Sequence, residues 1–181
     1  MMLSLFAATL FSSPVQAQKP GTFEAGEGTF LLNGQPFVVK AAEVHYPRIP
    51  KQYWEHRLKM CKALGMNTVC IYIFWNIHEQ KEGQFDWSGN NDVAEFCRLA
   101  QKHGMKFYLG LYDSGVYWDT KDMSHEIEDN KFVIDEVWKM YGEKYDSFGG
   151  WYLSTEISRD TIGAVDAFHA MGAQCKEVSG G

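Results

Sequence analysis

The stretch KALGMNTVCIYIFW, residues 62–75, joins the end of one pattern to the start of another. Upstream, between Pro50 and Gly65, Trp54, Leu58, Cys61 and Leu64 recur at three- and four-residue steps. That is the apolar stripe of an amphipathic helix, with Pro50 suited to its first turn and Gly65 to its C-terminal cap. Downstream, residues 66–75 form a nearly continuous apolar run, as expected of a strand buried in a parallel sheet. The same helix–Gly–Met–strand join returns in QKHGMKFY, residues 101–108, so the chain repeats one strand-plus-helix unit.

Read outward from this join, the sequence predicts strands over 36–44, 66–75, 105–114 and 148–158, alternating with helices over 50–65, 91–104, 122–145 and 160–181. Asn90 or Asn91 caps the second helix and Gly104 stops it. Four strand–helix repeats argue for parallel strands joined by right-handed crossovers. The Asn33-Gly34 pair between apolar runs predicts a β-hairpin ahead of them. The expected fold class is therefore α/β of the (β/α)₈ TIM-barrel type. Only the first four βα units are expected, a half barrel preceded by a short hairpin. The 181 residues are enough for one core but short of the roughly 250 of a full barrel. An open doubly wound sheet is the rival. It is disfavoured because no GxGxxG or phosphate loop follows the first strand, and because polar and aromatic residues gather after every strand.

Composition narrows the function. With 17 Lys+Arg against 23 Asp+Glu the net charge is −6, and no basic run exceeds a pair, so a nucleic-acid partner is not expected. Aromatic residues make up 15% of the chain, with tryptophan at 54, 75, 87, 118, 138 and 151. Several stand beside polar residues near predicted strand ends, the arrangement by which proteins stack on sugar rings; most of the six nonetheless read as core, leaving one or two for a ligand. Cys61, Cys70, Cys97 and Cys175 lie far apart and read as small buried hydrophobes. No cluster has metal-ligand spacing, and no cofactor or metal is expected.

The first residues, MMLSLFAATLFSSPVQAQ, carry an apolar stretch from Leu3 to Phe11 that is too short to span a bilayer. Small residues and a Val15-Gln16-Ala17 cleavage pattern follow, although the positively charged start is missing. The expected organisation is a signal peptide over 1–17, a hairpin and extension over 18–35, and a partial barrel over 36–181. The mature protein is expected to be periplasmic or extracellular, with no membrane association.

Parallel βα folds form sites at the C-terminal ends of their strands. Those ends supply Glu43, His45 and Tyr46, then Tyr72, Trp75, Asn76, His78 and Glu79, then Tyr112, Asp113 and Tyr117, and finally Thr155, Glu156 and Arg159. Carboxylates among aromatic rings suit glycoside hydrolysis, in which one carboxyl protonates the leaving oxygen and another attacks the anomeric carbon or activates water. Plainer readings stand beside these. Glu43 pairs with Lys40 or Arg48, His45 is a satisfied rim histidine, Glu79 caps a turn, and Asp113 forms an Asx turn. Glu156 has strand-like stretches on both sides and no Lys or Arg before Arg159. That context predicts a desolvated carboxyl with a raised pKa, as an acid catalyst needs.

Residues 30–105 closely resemble the start of glycoside hydrolase family 35 β-galactosidases, in HYPRIP (45–50), YWEHRLKMCKALGMNTV (53–69) and FWNIHEQKEGQFDWSG (74–89). The resemblance implies a retaining, exported or lysosomal β-galactosidase on a (β/α)₈ barrel, with Tyr72 contacting the galactose. The family's third strand, similar to RPGPYVCAEWE and carrying an acidic sugar-holding residue, is replaced here by FYLGLYDSGVYWD (107–119). Its acid/base follows an Asn, where this chain has Thr155-Glu156. Residues 106–181 look more like the glycosidase-like bacterial family known as domain of unknown function 4434, as though two related half-patterns met near Met105. The expected site is thus Glu156 as acid/base, with His45, Tyr72, Trp75, Asn76, Glu79, Tyr112 and Asp113 around a carbohydrate substrate. The nucleophile, on strand seven in such barrels, is expected to come from elsewhere. A half barrel also leaves open edges and apolar inward faces, which predicts self-association. The alternative reading is a non-catalytic carbohydrate-binding or scaffold module that dimerises.

Overall fold

A computed structural model describes residues 22–180; the leader-like stretch lies outside them. Two sheets follow one another along the chain. The first is antiparallel: β1 (Phe23–Ala25), β2 (Phe30–Leu32) and β3 (Gln35–Phe37), in that order. Asn33 and Gly34 turn β2 into β3 with φ of 53° and 73°. Two successive positive φ values mark a type I′ turn, which Asn-Gly tolerates best. Asn33 also ties the turn to the chain before β1: its side-chain oxygen accepts from the Thr22 amide at 3.0 Å.

The second sheet is parallel and holds β4 (Ala41–Glu43), β5 (Thr68–Ile71), β6 (Lys106–Gly110) and β7 (Phe148–Tyr152). Their order in space is their order in the chain. No strand is inserted between two earlier ones, so the doubly wound rival, whose order reverses at a switch point, does not describe this sheet.

The strand predicted over 36–44 is two strands. Its first part closes the hairpin sheet as β3 and its last part opens the parallel sheet as β4. Asn67 bridges the break: its amide donates to the Val38 carbonyl at 2.8 Å, and its side-chain oxygen accepts from the Lys40 amide at 2.9 Å.

Helices α1 (Trp54–Ala63) and α3 (Val93–Lys102) cover one face of the parallel sheet; a short α2 (Trp75–His78) lies between them in the chain. Trp54 and Leu58 from α1, and Phe96, Cys97 and Ala100 from α3, are fully buried against Val69 and Ile71 of β5 and Phe107 and Leu109 of β6. Burying each large apolar side chain contributes roughly 1.5–3 kcal/mol, so this cluster dominates the stability of the sheet. The Trp54 indole donates to the carbonyls of Tyr46 and Ile49 at 3.0 and 2.8 Å. The cap of α3 is Asp92, not the preceding asparagines; its carboxylate accepts from the Glu95 amide at 3.0 Å and from Lys51 at 2.7 Å.

Beyond β6 come α4 (Val116–Thr120), α5 (Ser124–Val137) and α6 (Ala164–Ser179). Tyr117, Met123, Ile134, Ala164, Ala167 and Met171 form a second core with Leu111. The helix predicted over 122–145 ends as an α-helix at Val137 and continues as a π-turn over Trp138–Gly142. Gly142 lies beneath the Trp138 ring, where a Cβ would come within 2.1 Å of a ring carbon. The four cysteines are free; Cys97 is buried and the others half-buried.

Candidate functional site

In the parallel sheet, side chains alternate between the helix-covered face and the opposite face. On the opposite face stand the half-buried Cys70, Tyr72, Tyr108 and Gly110. Tyr108 lies over Gly149 and Gly150, where an added Cβ would meet its ring at 2.4 and 3.4 Å. This explains the GG in GGWYLSTEIS: the pair makes room for a tyrosine from the neighbouring strand, and the register shifts there. Tyr72 likewise lies over Gly110, with its Cδ1 2.9 Å from where a Cβ would be. Only a residue without a side chain lets Tyr72 cross β6 and reach Tyr152 at the end of β7, ring centroids 5.7 Å apart.

A polar–aromatic cluster forms around Tyr72. Its hydroxyl donates to Glu43 Oε2 at 3.3 Å, and the other oxygen, Oε1, lies 2.7 Å from His45 Nε2. Arg48 approaches His45 Nδ1 at 3.3 Å, so Nδ1 accepts and Nε2–H donates to Glu43. The Arg48 guanidinium lies 4.9 Å over the Phe74 ring, and Phe74 meets the His45 ring edge-on at 5.0 Å. Burial, with the adjacent Tyr152 side chain, Cys70 and Glu43, raises the Tyr72 phenol well above its ordinary pKa, keeping it a neutral donor.

Trp75 and Asn76 leave β5 on the exposed side of α2. The Trp75 indole donates to Glu79 Oε2 at 2.5 Å and meets Phe85 edge-on at 5.6 Å. Glu79 Oε1 accepts from the Gly83 amide at 2.6 Å. Glu79 thus braces its own loop. Asp113 does form an Asx turn, accepting from the Gly115 amide at 3.0 Å, and Tyr112 beside it is exposed. Glu156 departs from expectation. β7 ends at Tyr152, so Glu156 stands in the following loop; it is exposed, while Thr155 beside it is buried.

The burial of two polar groups, one of them the strand-end candidate His78, carries no local sequence signal. His78 is fully buried, stacked on Trp87 at 4.1 Å, and its Nε2 accepts from the Tyr46 hydroxyl at 2.7 Å while Nδ1–H donates to the Asp86 carbonyl at 3.0 Å. Its partner lies 32 residues upstream, and no local pattern signals such a pair. Glu126 of α5 is fully buried too, and accepts from the Ser114 hydroxyl and amide. With Asn130, which exchanges hydrogen bonds with the Tyr112 backbone at 2.8 and 2.9 Å, it pins the loop after β6. Among the described residues, no group of three His, Cys, Asp or Glu side chains is placed to hold a metal ion.

Residues 29–112 match the family model for glycosyl hydrolases family 35. This span contains the Glu43–His45–Tyr72 cluster. The chain is 41% identical to a β-galactosidase of Xanthomonas manihotis over 108 residues, 58% of this chain and 18% of that protein. It thus spans less than a fifth of the curated relatives it matches. A solved structure of a candidate α-L-fucosidase from Bacteroides thetaiotaomicron is 40% identical over 99% of this chain and 55% of its own, with a TM-score of 0.66. That coverage runs through Met105, so the residues on both sides of it align to one other protein. The endo-1,4-β-mannanase of Rhizomucor miehei shares the fold at 16% identity, with a TM-score of 0.62 over 86% of this chain and 57% of that one. The fold is mixed α/β with a parallel sheet, and its structural neighbours are glycosidases of the TIM-barrel kind.

Proposed function

We propose that this chain forms the first four βα units of the barrel of an exported glycoside hydrolase that removes terminal β-galactosides with retention. The observation that carries the reading is the family 35 match over 29–112, which coincides with a polar–aromatic cluster at the ends of parallel strands. In this reading residues 36–181 are the partial catalytic domain, and the DUF-like character of 106–181 is a variant of the same barrel. Tyr72 and His45 face the sugar. Trp75 and Asn76 extend that wall, Glu79 holds Trp75 in place, and Tyr112 and Asp113 border the site from β6.

Glu156 is the general acid/base. It delivers a proton to the glycosidic oxygen as a second carboxylate attacks the anomeric carbon. The bond to the leaving oxygen breaks with its electron pair staying on that oxygen. Glu156, now ionised, then takes a proton from the water that releases the sugar. Exposure in the loop after β7 leaves the Glu156 carboxyl free to approach a bound substrate. The nucleophile comes from outside these four units, because Asp113 is turned into its own loop. The open sheet edges favour self-association of the isolated chain.

A second substrate class has an observation in its favour: the candidate α-L-fucosidase aligns over more of this chain than the β-galactosidases do. The test assays the protein, extended along its natural reading frame, on aryl β-galactosides and aryl α-L-fucosides. Hydrolysis of the galactoside supports the reading. Hydrolysis of the fucoside alone replaces the substrate class. Binding without turnover of either gives the non-catalytic module instead.

A further inference from the structure

Five carboxylates stand near the strand ends, and four are spoken for or distant. Both Glu79 oxygens are taken by Trp75 and Gly83, Asp113 is folded onto Gly115, Glu126 is wholly buried beneath Ser114, and Glu156 stands beyond β7. Glu43 differs. It is the last residue of β4, and just over half of its side chain, 53%, is open to solvent. Its two oxygens are nonetheless aimed: Oε1 by His45 at 2.7 Å and Oε2 by Tyr72 at 3.3 Å. His45 is in turn set by Arg48. An ordinary surface glutamate samples many rotamers; this one is held at two points.

A carboxylate offers about four acceptor positions on its two oxygens. His45 and Tyr72 occupy two, and neither donor covers the solvent side. A held carboxylate with a free acceptor on each oxygen matches two adjacent hydroxyls of a sugar ring, which present two donors side by side. The edges of Tyr72, Phe74 and Tyr152 supply the apolar contact that a sugar's C–H face requires. We infer that Glu43 is a substrate-binding residue that accepts hydrogen bonds from two neighbouring hydroxyls of the terminal sugar, with His45 as the residue that positions it. The inference rests on the sugar-site reading above and adds the residue that recognises the diol.

The experiment titrates the 181-residue chain with D-galactose, L-fucose, D-glucose and D-mannose, following binding by saturation-transfer NMR. Glu43→Gln, Glu43→Ala, His45→Ala and His45→Gln are compared with the remote control Glu24→Gln, each checked for unchanged thermal unfolding. Losing a charge-assisted hydrogen bond to a hydroxyl is expected to weaken binding about tenfold or more. Glu43→Gln and Glu43→Ala should both show this loss. His45→Ala should lose affinity and His45→Gln, which keeps a side-chain N–H, should recover part of it. In the wild type, sugars that present the hydroxyl pair in a different configuration should bind more weakly, and Glu43→Gln should no longer distinguish them. Wild-type binding that Glu43→Gln leaves unchanged overturns the inference and spares the sugar-site reading. Absence of wild-type binding to all four sugars overturns both.

Discussion

Substituting Gly110 by alanine tests how the site is assembled. The new Cβ lands 2.9 Å from Tyr72 Cδ1 and 3.3 Å from Cε1, with the Ile71 carbonyl oxygen 3.5 Å away. Real Cβ atoms do not come this close to a ring carbon, so the Tyr72 ring must lift. Overpacking of this kind costs typically about 1–3 kcal/mol. Alanine in place of glycine recovers roughly 0.5–1 kcal/mol of chain entropy. The net loss is then about 1 kcal/mol, which for a domain of this size lowers the unfolding temperature by about 2–4 °C. The assay is a double-mutant cycle with Tyr72→Ala, read by thermal unfolding. Once the ring is gone the steric cost vanishes, and Gly110→Ala should turn neutral or slightly stabilising. If Gly110→Ala costs the same in both backgrounds, Tyr72 does not lie across β6 and the packing of the cluster is refuted.

Tyr46→Phe removes the donor to the buried His78 Nε2 without changing the packing shape; we expect a loss of about 1–3 kcal/mol in urea unfolding, against almost none for the exposed Tyr53→Phe. The half-buried Glu55 carboxyl is held down to about 2 by hydrogen bonds from Lys102 and His103. A depressed folded-state pKa gives stability that is present above the unfolded value near 4.5 and lost as pH falls through about 2, so Glu55→Gln should lower stability at neutral pH, flatten the profile across that window and leave stability unchanged below it. In the extended protein, Glu156→Gln should slow glycosides with poor leaving groups far more than activated aryl glycosides, and azide should partly rescue the activated ones; equal rates on the unactivated substrate would end the assignment.

What the sequence reveals depends on how far away the deciding partner lies. The α1 and α3 stripes are legible because a helix writes its buried face at three- and four-residue steps within its own length. The parallel order is legible because buried strands alternate with those helices. The break between β3 and β4 is not, since the groups that satisfy the backbone there belong to Asn67, 27 residues beyond Lys40. Glu156 shows the same limit for a site. Its flanking residues are strand-like, yet β7 stops at Tyr152 and the loop beyond carries the carboxyl into solvent. The cluster around Tyr72 was half legible: the strand ends named His45 and Tyr72, but Arg48, Phe74 and Tyr152 join through rings and glycines that only packing brings together.

The sheet order has a consequence for synthesis. Ala41 pairs with Thr68, Thr68 with Lys106, and Phe107 with Phe148, each partner already made when its mate emerges from the ribosome. No strand waits for a later one to be threaded between its neighbours, and each closure spans only one βα unit, which keeps the entropy of each step modest. The growing edge is always the newest strand, nearest the exit tunnel, while the outer edge of β4 stays open throughout. Folding can therefore keep pace with translation, with the Glu43–Tyr72 half of the cluster assembled before Tyr152 is added to complete it.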